Sequence, residues 1–130
     1  MSVNDTQVGG DHYKKGGSSQ HWDLITDVFG PSYLVGNATK YVTRWRDKNG
    51  KEDLKKALHY VQKLIEVVEK DEGMPMPTPR PVEVNVMLSE FITANQLPAK
   101  EARIVTTLMT ATSIFDYDRA ELMIRDLSNE

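Results

Sequence analysis

The stretch from Gly36 to Lys63 concentrates the side chains of this sequence that could bind an anion. It holds eight Lys or Arg against three Asp or Glu, whereas the whole chain has a formal net charge of -3. Asn37, Lys40 and Arg44 are spaced i, i+3 and i+7, which places them on one face of a helix. Arginine offers a planar fork to a phosphate and lysine a compact charge. The pattern indicates a site for a small phosphate-bearing ligand, with the solvated face of an amphipathic helix as the alternative.

A second helical run follows, and it opens with Glu52 and Asp53 and continues with Lys55 and Lys56. Magnesium is bound in proteins through one or two carboxylates together with substrate oxygens. Glu52 and Asp53 are therefore candidate magnesium ligands, and the two lysines are candidate phosphate ligands. The alternative is structural, because carboxylates in a first helical turn complement the helix dipole and Glu52 can pair with Lys56 four residues later.

A Gly-rich segment near the N-terminus, GGDHYKK at residues 9–15, is a third candidate element. Gly9 and Gly10 let backbone amides approach a ligand closely, and consecutive amides can form an anion-binding nest. Asp11 or His12 could hold a metal ion or a ribose hydroxyl, and the lysines that follow add positive charge. The alternative is a solvated polar tail.

Four aromatic residues, Trp22, Tyr33, Tyr41 and Trp45, accompany the basic stretch. We interpret them as core or subunit contacts, and one of them could instead stack on a nucleobase. The sequence has no P-loop pattern, no H-E-x-x-H and no G-x-S-x-G, so any phosphoryl transfer would not use a P-loop. The chain has no cysteine, which excludes thiolate metal sites and thiol nucleophiles. Its net negative charge argues against general nucleic-acid binding.

Helical periodicity predicts the elements that position these residues. Apolar residues recur at helical spacing over 22–29, 31–47 and 51–70, and Phe29 shares the apolar stripe of the first helix. Gly50 supplies the positive φ that the break before the third helix requires. Three helices with short connections predict an all-α fold built as a small antiparallel bundle.

We predict three parts along the chain. Residues 1–72 form the helical core with its Gly-rich N-terminal loop, 73–82 a Pro-rich linker, and 83–130 a short helical tail. The three tail helices are marginal alone and should dock on the bundle or on another subunit. Asp116 is the expected N-cap of the last helix. No apolar run has the length that spans a bilayer and the N-terminus lacks a targeting segment, so we expect a cytoplasmic protein.

Two segments of the sequence together resemble a known family. QVGGDHYKK at 7–15, Trp22, and YLVGNATKYVTRWRDKNGKEDLKKALHYVQKLIE at 33–66 are similar to the small phage-encoded SaV-like family, described as P-loop-less phage nucleotide kinases. The resemblance implies a largely helical homo-oligomer in the host-cell cytoplasm that binds deoxynucleotides. It further implies phosphorylation of deoxynucleoside monophosphates to diphosphates, with a nucleoside triphosphate as donor and Mg²⁺ as cofactor.

The resemblance also implies roles for the residues at matching positions. Trp45 stands where a small residue is expected, which would narrow the pocket. The expected catalytic residues are Asp11, His12, Arg44 and Asp53, and the expected metal ligands are Asp11, Glu52 and Asp53. The expected nucleotide-binding residues are Gly9, Gly10, Tyr13, Lys14, Asn37, Lys40, Tyr41, Lys55, Lys56 and Tyr60.

Two other functions stay open from the sequence. A non-catalytic nucleotide binder, which sequesters a host signal or regulates a phage enzyme, would need the same basic pocket without a magnesium site. An assembly or host-takeover protein would use the C-terminal helices as its working part.

Overall fold

The computed structural model describes residues 3–6, 8, 20–70 and 82–130. In those ranges the chain forms one short 3₁₀ turn and six α-helices and contains no strand, which confirms the all-α class. The Gly-rich residues 9–19 and the Pro-rich residues 71–81 lie outside the described ranges. The turn spans Val3–Asp5, and the helices are α1 (His21–Phe29), α2 (Ser32–Arg44), α3 (Lys51–Lys70), α4 (Val84–Ala94), α5 (Ala99–Met109) and α6 (Ile114–Ser128).

Glycine and proline set the breaks between the first three helices. Gly30 ends α1 with φ at 82°, and Pro31 directly precedes α2. Gly50 has φ at 62° immediately before α3, as the sequence predicted. A residue with a Cβ adopts such positive φ values only with strain, so glycine is the residue that allows these two changes of direction.

The start of α6 corrects one prediction. Ser113, rather than Asp116, is the N-cap, and Asp116 lies in the first turn of the helix. The Asp116 Oδ2 atom accepts hydrogen bonds from the backbone N–H groups of Thr112 and Ser113 at 2.8 and 3.2 Å. These bonds, that of Thr112 foremost, hold the pKa of Asp116 below its ordinary value. The acid therefore reaches back to the chain before the helix instead of occupying the cap position.

A single hydrophobic core joins the N-terminal helices to the tail. The closest packing is between α2 and α3, which a short turn connects, and α6 packs on α3 while α5 packs on α2 and α6. The tail thus docks on the bundle of the same chain through α5 and α6. Each fully buried Leu or Val contributes about 1.5–3 kcal/mol to this packing. The best-buried core side chains include Leu34, Ala38, Val42, Leu54, Ala57, Val61, Leu64, Ile104, Leu108, Tyr117, Ala120, Ile124 and Leu127.

Two helices, α1 and α4, keep apolar side chains on the surface. Phe29, which shares the apolar stripe of α1, is 73% exposed. It is the last residue of α1, whose closest helical neighbour is α2, and the end of the helix is left uncovered. In α4 the one buried residue is Leu88, while Val86 and Met87 are more than half exposed. The core is therefore completed by α5 and α6 and owes little to α4.

Candidate functional site

Two stacked tyrosines stand at the centre of the basic stretch. Tyr41 of α2 and Tyr60 of α3 have ring centroids 5.9 Å apart and planes inclined by 21°. Three cationic groups lie around the Tyr41 ring, with Lys40 Nζ at 4.6 Å, Arg44 Cζ at 4.8 Å and Lys56 Nζ at 5.6 Å from its centroid. The negative face of an aromatic ring attracts cations, which lets these groups gather despite their mutual repulsion. We name these five residues the Tyr41 cluster.

The Tyr41 cluster carries an excess of positive charge. Arg44 pairs with Asp53, whose Oδ2 lies 3.3 Å from Nε, whereas neither Lys40 nor Lys56 forms an ion pair with any residue in the described ranges. The Tyr41 cluster thus holds three positive groups, and only one of them is paired with a carboxylate in the described ranges. A concentration of unbalanced charge on a partly buried aromatic surface attracts small multivalent anions, among which phosphates suit arginine and lysine donors best.

Asp53 is the buried member of its pair. Its side chain is completely buried, while that of Arg44 is 35% exposed. The Oδ2 atom of Asp53 also accepts a hydrogen bond from the backbone N–H of Asn49 at 3.2 Å. Its Oδ1 atom is buried and has no hydrogen-bond partner among the residues that the structure describes. Asp53 therefore fixes both the turn before α3 and the position of the Arg44 guanidinium.

The tyrosines continue into an aromatic group beneath α1. Tyr60 meets Trp22 edge to face at 5.6 Å and Tyr33 at 6.2 Å. Trp22 in turn lies 4.8 Å from the ring of His59. Trp22 belongs to the core, and Tyr33 and Tyr41 are partly buried against it, which confirms the prediction of core contacts for these aromatic residues. The cationic groups around Tyr41 thus lie next to a set of contacting rings formed by Tyr41, Tyr60, Tyr33, Trp22 and His59.

Not every residue predicted for the site reaches the Tyr41 cluster. Asn37 lies on α2 and donates from Nδ2 to the carbonyl of Tyr33 at 2.9 Å. Lys55 and Glu52 are exposed on α3, and within the described residues neither makes an ion pair or a ring contact. Glu52 and Lys56, which the sequence could pair at i, i+4, form no ion pair with each other in the part of the chain that the structure describes. The remaining predicted residues, Gly9, Gly10, Asp11, His12, Tyr13 and Lys14, lie outside the described ranges.

The two carboxylates predicted to bind magnesium do not face one site. Glu52 is exposed, whereas its neighbour Asp53 is buried and holds Arg44 and the backbone of Asn49. Magnesium binds carboxylates together with water or phosphate oxygens, which requires a ligand with access to them. Within the described ranges, no group of three or more His, Asp or Glu is placed to hold a metal ion. Glu52 and Asp53 therefore do not fit a shared magnesium site in this structure.

Trp45 makes its described polar and ring contacts outside the Tyr41 cluster. It is buried, and its Nε1–H donates to Oε2 of Glu101 on α5 at 3.0 Å. Arg46 stacks on the Trp45 ring at 4.4 Å and donates to the same carboxylate oxygen at 2.6 Å. Trp45 therefore joins the end of α2 to α5, and its effect on a ligand pocket stays a prediction.

A buried polar network that sequence reasoning missed holds the N-terminal turn. Lys63 is 5% exposed and lies 2.8 Å from Oδ1 of Asp23, 2.8 Å from Oδ1 of Asn4 and 3.4 Å from Oε1 of Glu66. The Nε1–H of Trp22 donates to the same Asn4 oxygen at 2.8 Å. The sequence carried no signal for this burial, because at helical spacing Lys63 shares a polar stripe of α3 with His59 and Glu66. The network links the N-terminal turn, α1 and α3, and it includes the Trp22 side chain of the aromatic group.

His59 belongs to this buried region. Its Nε2 lies 2.9 Å from the carbonyl oxygen of Val3, so that Nε2 carries the donated proton. Burial lowers the pKa of His59 below its ordinary value, the bond to Val3 acts in the opposite direction, and the charge of Lys63 lowers the pKa further. His59 is therefore neutral near pH 7 and serves as a structural donor rather than as a cation of the site.

Comparison with known proteins gives one partial match. Residues 8–62, which include α1, α2 and the first part of α3, are similar to a family described as "Protein of unknown function (DUF3310)". No curated protein and no solved structure matches the chain. The matching region contains the whole Tyr41 cluster and Asp53. None of the described helices is both long and apolar enough to cross a membrane.

Proposed function

We propose that this protein binds deoxynucleotides and phosphorylates deoxynucleoside monophosphates. The observation that carries the proposal is the convergence of Lys40, Arg44 and Lys56 on the ring of Tyr41, with one carboxylate to balance them. Such a group has the charge for a phosphate and, in the adjoining partly buried rings, a surface for a base. The resemblance to phage nucleotide kinases supplies the choice of nucleotide and the reaction.

Binding would begin at the positive groups. A phosphate dianion would be attracted by the ammonium groups of Lys40 and Lys56, and the terminal nitrogens of Arg44 would donate to two of its oxygens. The base would rest against the partly buried rings of Tyr33 or Tyr60, since a stacking surface accepts any base. Selectivity among bases would require additional contacts from elsewhere in the chain.

The transfer itself needs position and charge rather than a covalent intermediate. An oxygen of the bound monophosphate attacks the γ-phosphorus of the triphosphate donor, the bond from that phosphorus to the β–γ bridging oxygen breaks, and a nucleoside diphosphate leaves. The lysines and Arg44 would neutralise charge on the phosphates and hold them in line. We propose that magnesium enters on the phosphates of the donor, since Glu52 and Asp53 do not form a protein site for it.

The direct test combines turnover with matched lysine variants. The protein is incubated with each of the four deoxynucleoside monophosphates and ATP in the presence of magnesium, and diphosphate formation is measured. We expect product with at least one monophosphate, and a large loss in Lys40→Ala and Lys56→Ala. Lys70→Ala, which removes a charge at the far end of α3, is the control. Absence of diphosphate with every monophosphate and donor would refute the catalytic part of the proposal.

A second candidate function follows from the position of Asp53. A buried carboxylate that is engaged by Arg44 suits a site that binds phosphate without a catalytic carboxylate. The protein would then be a non-catalytic nucleotide binder that sequesters a host signal or regulates a phage enzyme. Calorimetric binding of a deoxynucleotide, together with no diphosphate formation under the same conditions, would establish this function in place of the kinase.

We further propose that the protein works as a homo-oligomer in the cytoplasm of the host cell. The support is the surface of α4, where Val86 and Met87 are exposed on a helix of mostly apolar residues. Sedimentation velocity over a range of protein concentrations tests the oligomer, and a single species with the mass of one chain throughout would exclude it.

A further inference from the structure

We infer that Asp53 acts as the positioning residue for Arg44, and that it presents the two terminal nitrogens of this arginine as a fork for a terminal phosphate. The inference rests on the proposed nucleotide function for its ligand, and it assigns Asp53 a different role from metal binding or catalysis. It also names the recognised group, which is a terminal phosphate rather than the base or the sugar.

The geometry of the arginine carries the inference. Asp53 Oδ2 meets Arg44 at Nε, 3.3 Å away, and not at the terminal nitrogens. Neither Nη group donates to any residue within the described ranges, and the side chain is 35% exposed. With Cζ held 4.8 Å from the centroid of the Tyr41 ring, the guanidinium is fixed on one edge and on one face. The edge that carries two N–H donors in parallel, which is the edge that suits phosphate, stays available.

The carboxylate is itself held firmly enough to orient its partner. Oδ2 accepts the backbone N–H of Asn49 at 3.2 Å, and the backbone N–H of Asp53 donates to the carbonyl of Gly50 at 2.9 Å. The side chain is completely buried, so a rotation toward solvent would disrupt the start of α3. A positioning group that cannot swing outward reduces the conformational freedom that Arg44 would lose on binding phosphate.

The test is a double-mutant cycle on Asp53 and Arg44, read by calorimetry with the four deoxynucleoside monophosphates. We expect Asp53→Asn to weaken the best binder about tenfold, the size of coupling seen between contacting groups. In the Arg44→Lys background the same change should alter Kd less than about twofold. Asp47→Asn, an exposed acid in the same turn, is the control and should leave Kd unchanged.

Three results would overturn the inference. Equal losses from Asp53→Asn in both backgrounds would mean that Asp53 acts independently of Arg44, through folding alone. Unchanged Kd with lower turnover would make Asp53 a catalytic group. Rapid water exchange of the Arg44 Nε–H in the wild-type protein, as fast as that of the exposed Arg103, would mean that the contact does not persist in solution.

The exchange measurement also separates this inference from the proposed function. It is made by NMR on the free wild-type protein, with Arg44→Lys used to assign the signal, and needs no nucleotide. If no deoxynucleotide binds, the proposed function fails. Slow exchange at Nε, combined with shifts of the Nη signals on addition of inorganic phosphate, would then still support the positioned fork, and unshifted Nη signals would overturn it.

Discussion

Replacing either Lys55 or Lys56 by alanine tests which of these two lysines contributes to ligand binding. The two lysines are neighbours on α3 and looked equivalent in the sequence, yet Lys56 lies 5.6 Å from the centre of the Tyr41 ring while Lys55 is exposed elsewhere on the helix. Near a protein surface, unit charges 4 Å apart attract by about 4 kcal/mol, and in bulk water by about 1 kcal/mol. Since Lys56 is half-buried, an intermediate loss of about 2 kcal/mol is expected on its removal, or about thirtyfold in Kd.

Lys55→Ala should cost much less. A solvated charge that does not contact the ligand contributes about 0–1 kcal/mol, which is less than about fivefold in Kd. Titration calorimetry with deoxynucleoside monophosphates at fixed ionic strength measures both variants, and Lys70→Ala controls for the loss of one positive charge from α3. Equal losses in Lys55→Ala and Lys56→Ala would refute the reasoning, because they would show that net charge on the helix matters and the Tyr41 cluster does not. Thermal unfolding of each variant excludes loss of structure as the cause.

Further predictions concern stability. Because the folded chain binds the His59 proton less tightly than the unfolded chain, its contribution to stability is complete above the ordinary pKa of 6.5 and declines as the pH falls toward the lowered value. Urea denaturation from pH 7.5 to 5 should show this decline, with a shallower slope in His59→Gln; identical slopes would contradict it. Lys63→Ala should lower the free energy of unfolding by about 3 kcal/mol, because it leaves the Asp23 carboxylate without its buried partner; a change under about 1 kcal/mol would indicate solvent access at Asp23. Deleting residues 83–130 should abolish cooperative thermal unfolding, as it uncovers the faces of α2 and α3, and a sharp transition in the shortened chain would show that the first three helices fold alone.

The sequence predicted the features that depend on neighbours along the chain. Apolar spacing located the helices, and the i, i+4 relation between Lys40 and Arg44 placed the two on one face of α2 because helical geometry is local. Gly50 was recognisable for the same reason, since the turn requires its positive φ at one position. These predictions hold whatever the helices pack against. That Lys40 and Arg44 also lie over the Tyr41 ring was not predicted.

The contacts between helices could not be predicted from the spacing of residues along the sequence. Whether Lys55 or Lys56 faces Tyr41 depends on the rotation of α3 against α2, which core packing decides. The buried state of Asp53 depends on the path of the turn before it, and the partner of Trp45 lies 56 positions away on α5. Which of the two acids in the first turn of α3 is buried therefore could not be predicted from the sequence.

Because α6 packs on α3, the core can be completed only late in translation. The chain is synthesised from its N-terminus, and residues 71–113 separate the two helices that meet in the core. Until α6 leaves the ribosome, the side of α3 that it covers stays open to chaperones and proteases. Tyr60 and Lys56 lie on α3. While the nascent chain is incomplete, α2 and α3 therefore lack the packing that α5 and α6 provide. Under the proposed function, we therefore expect ligand binding only after α6 has left the ribosome.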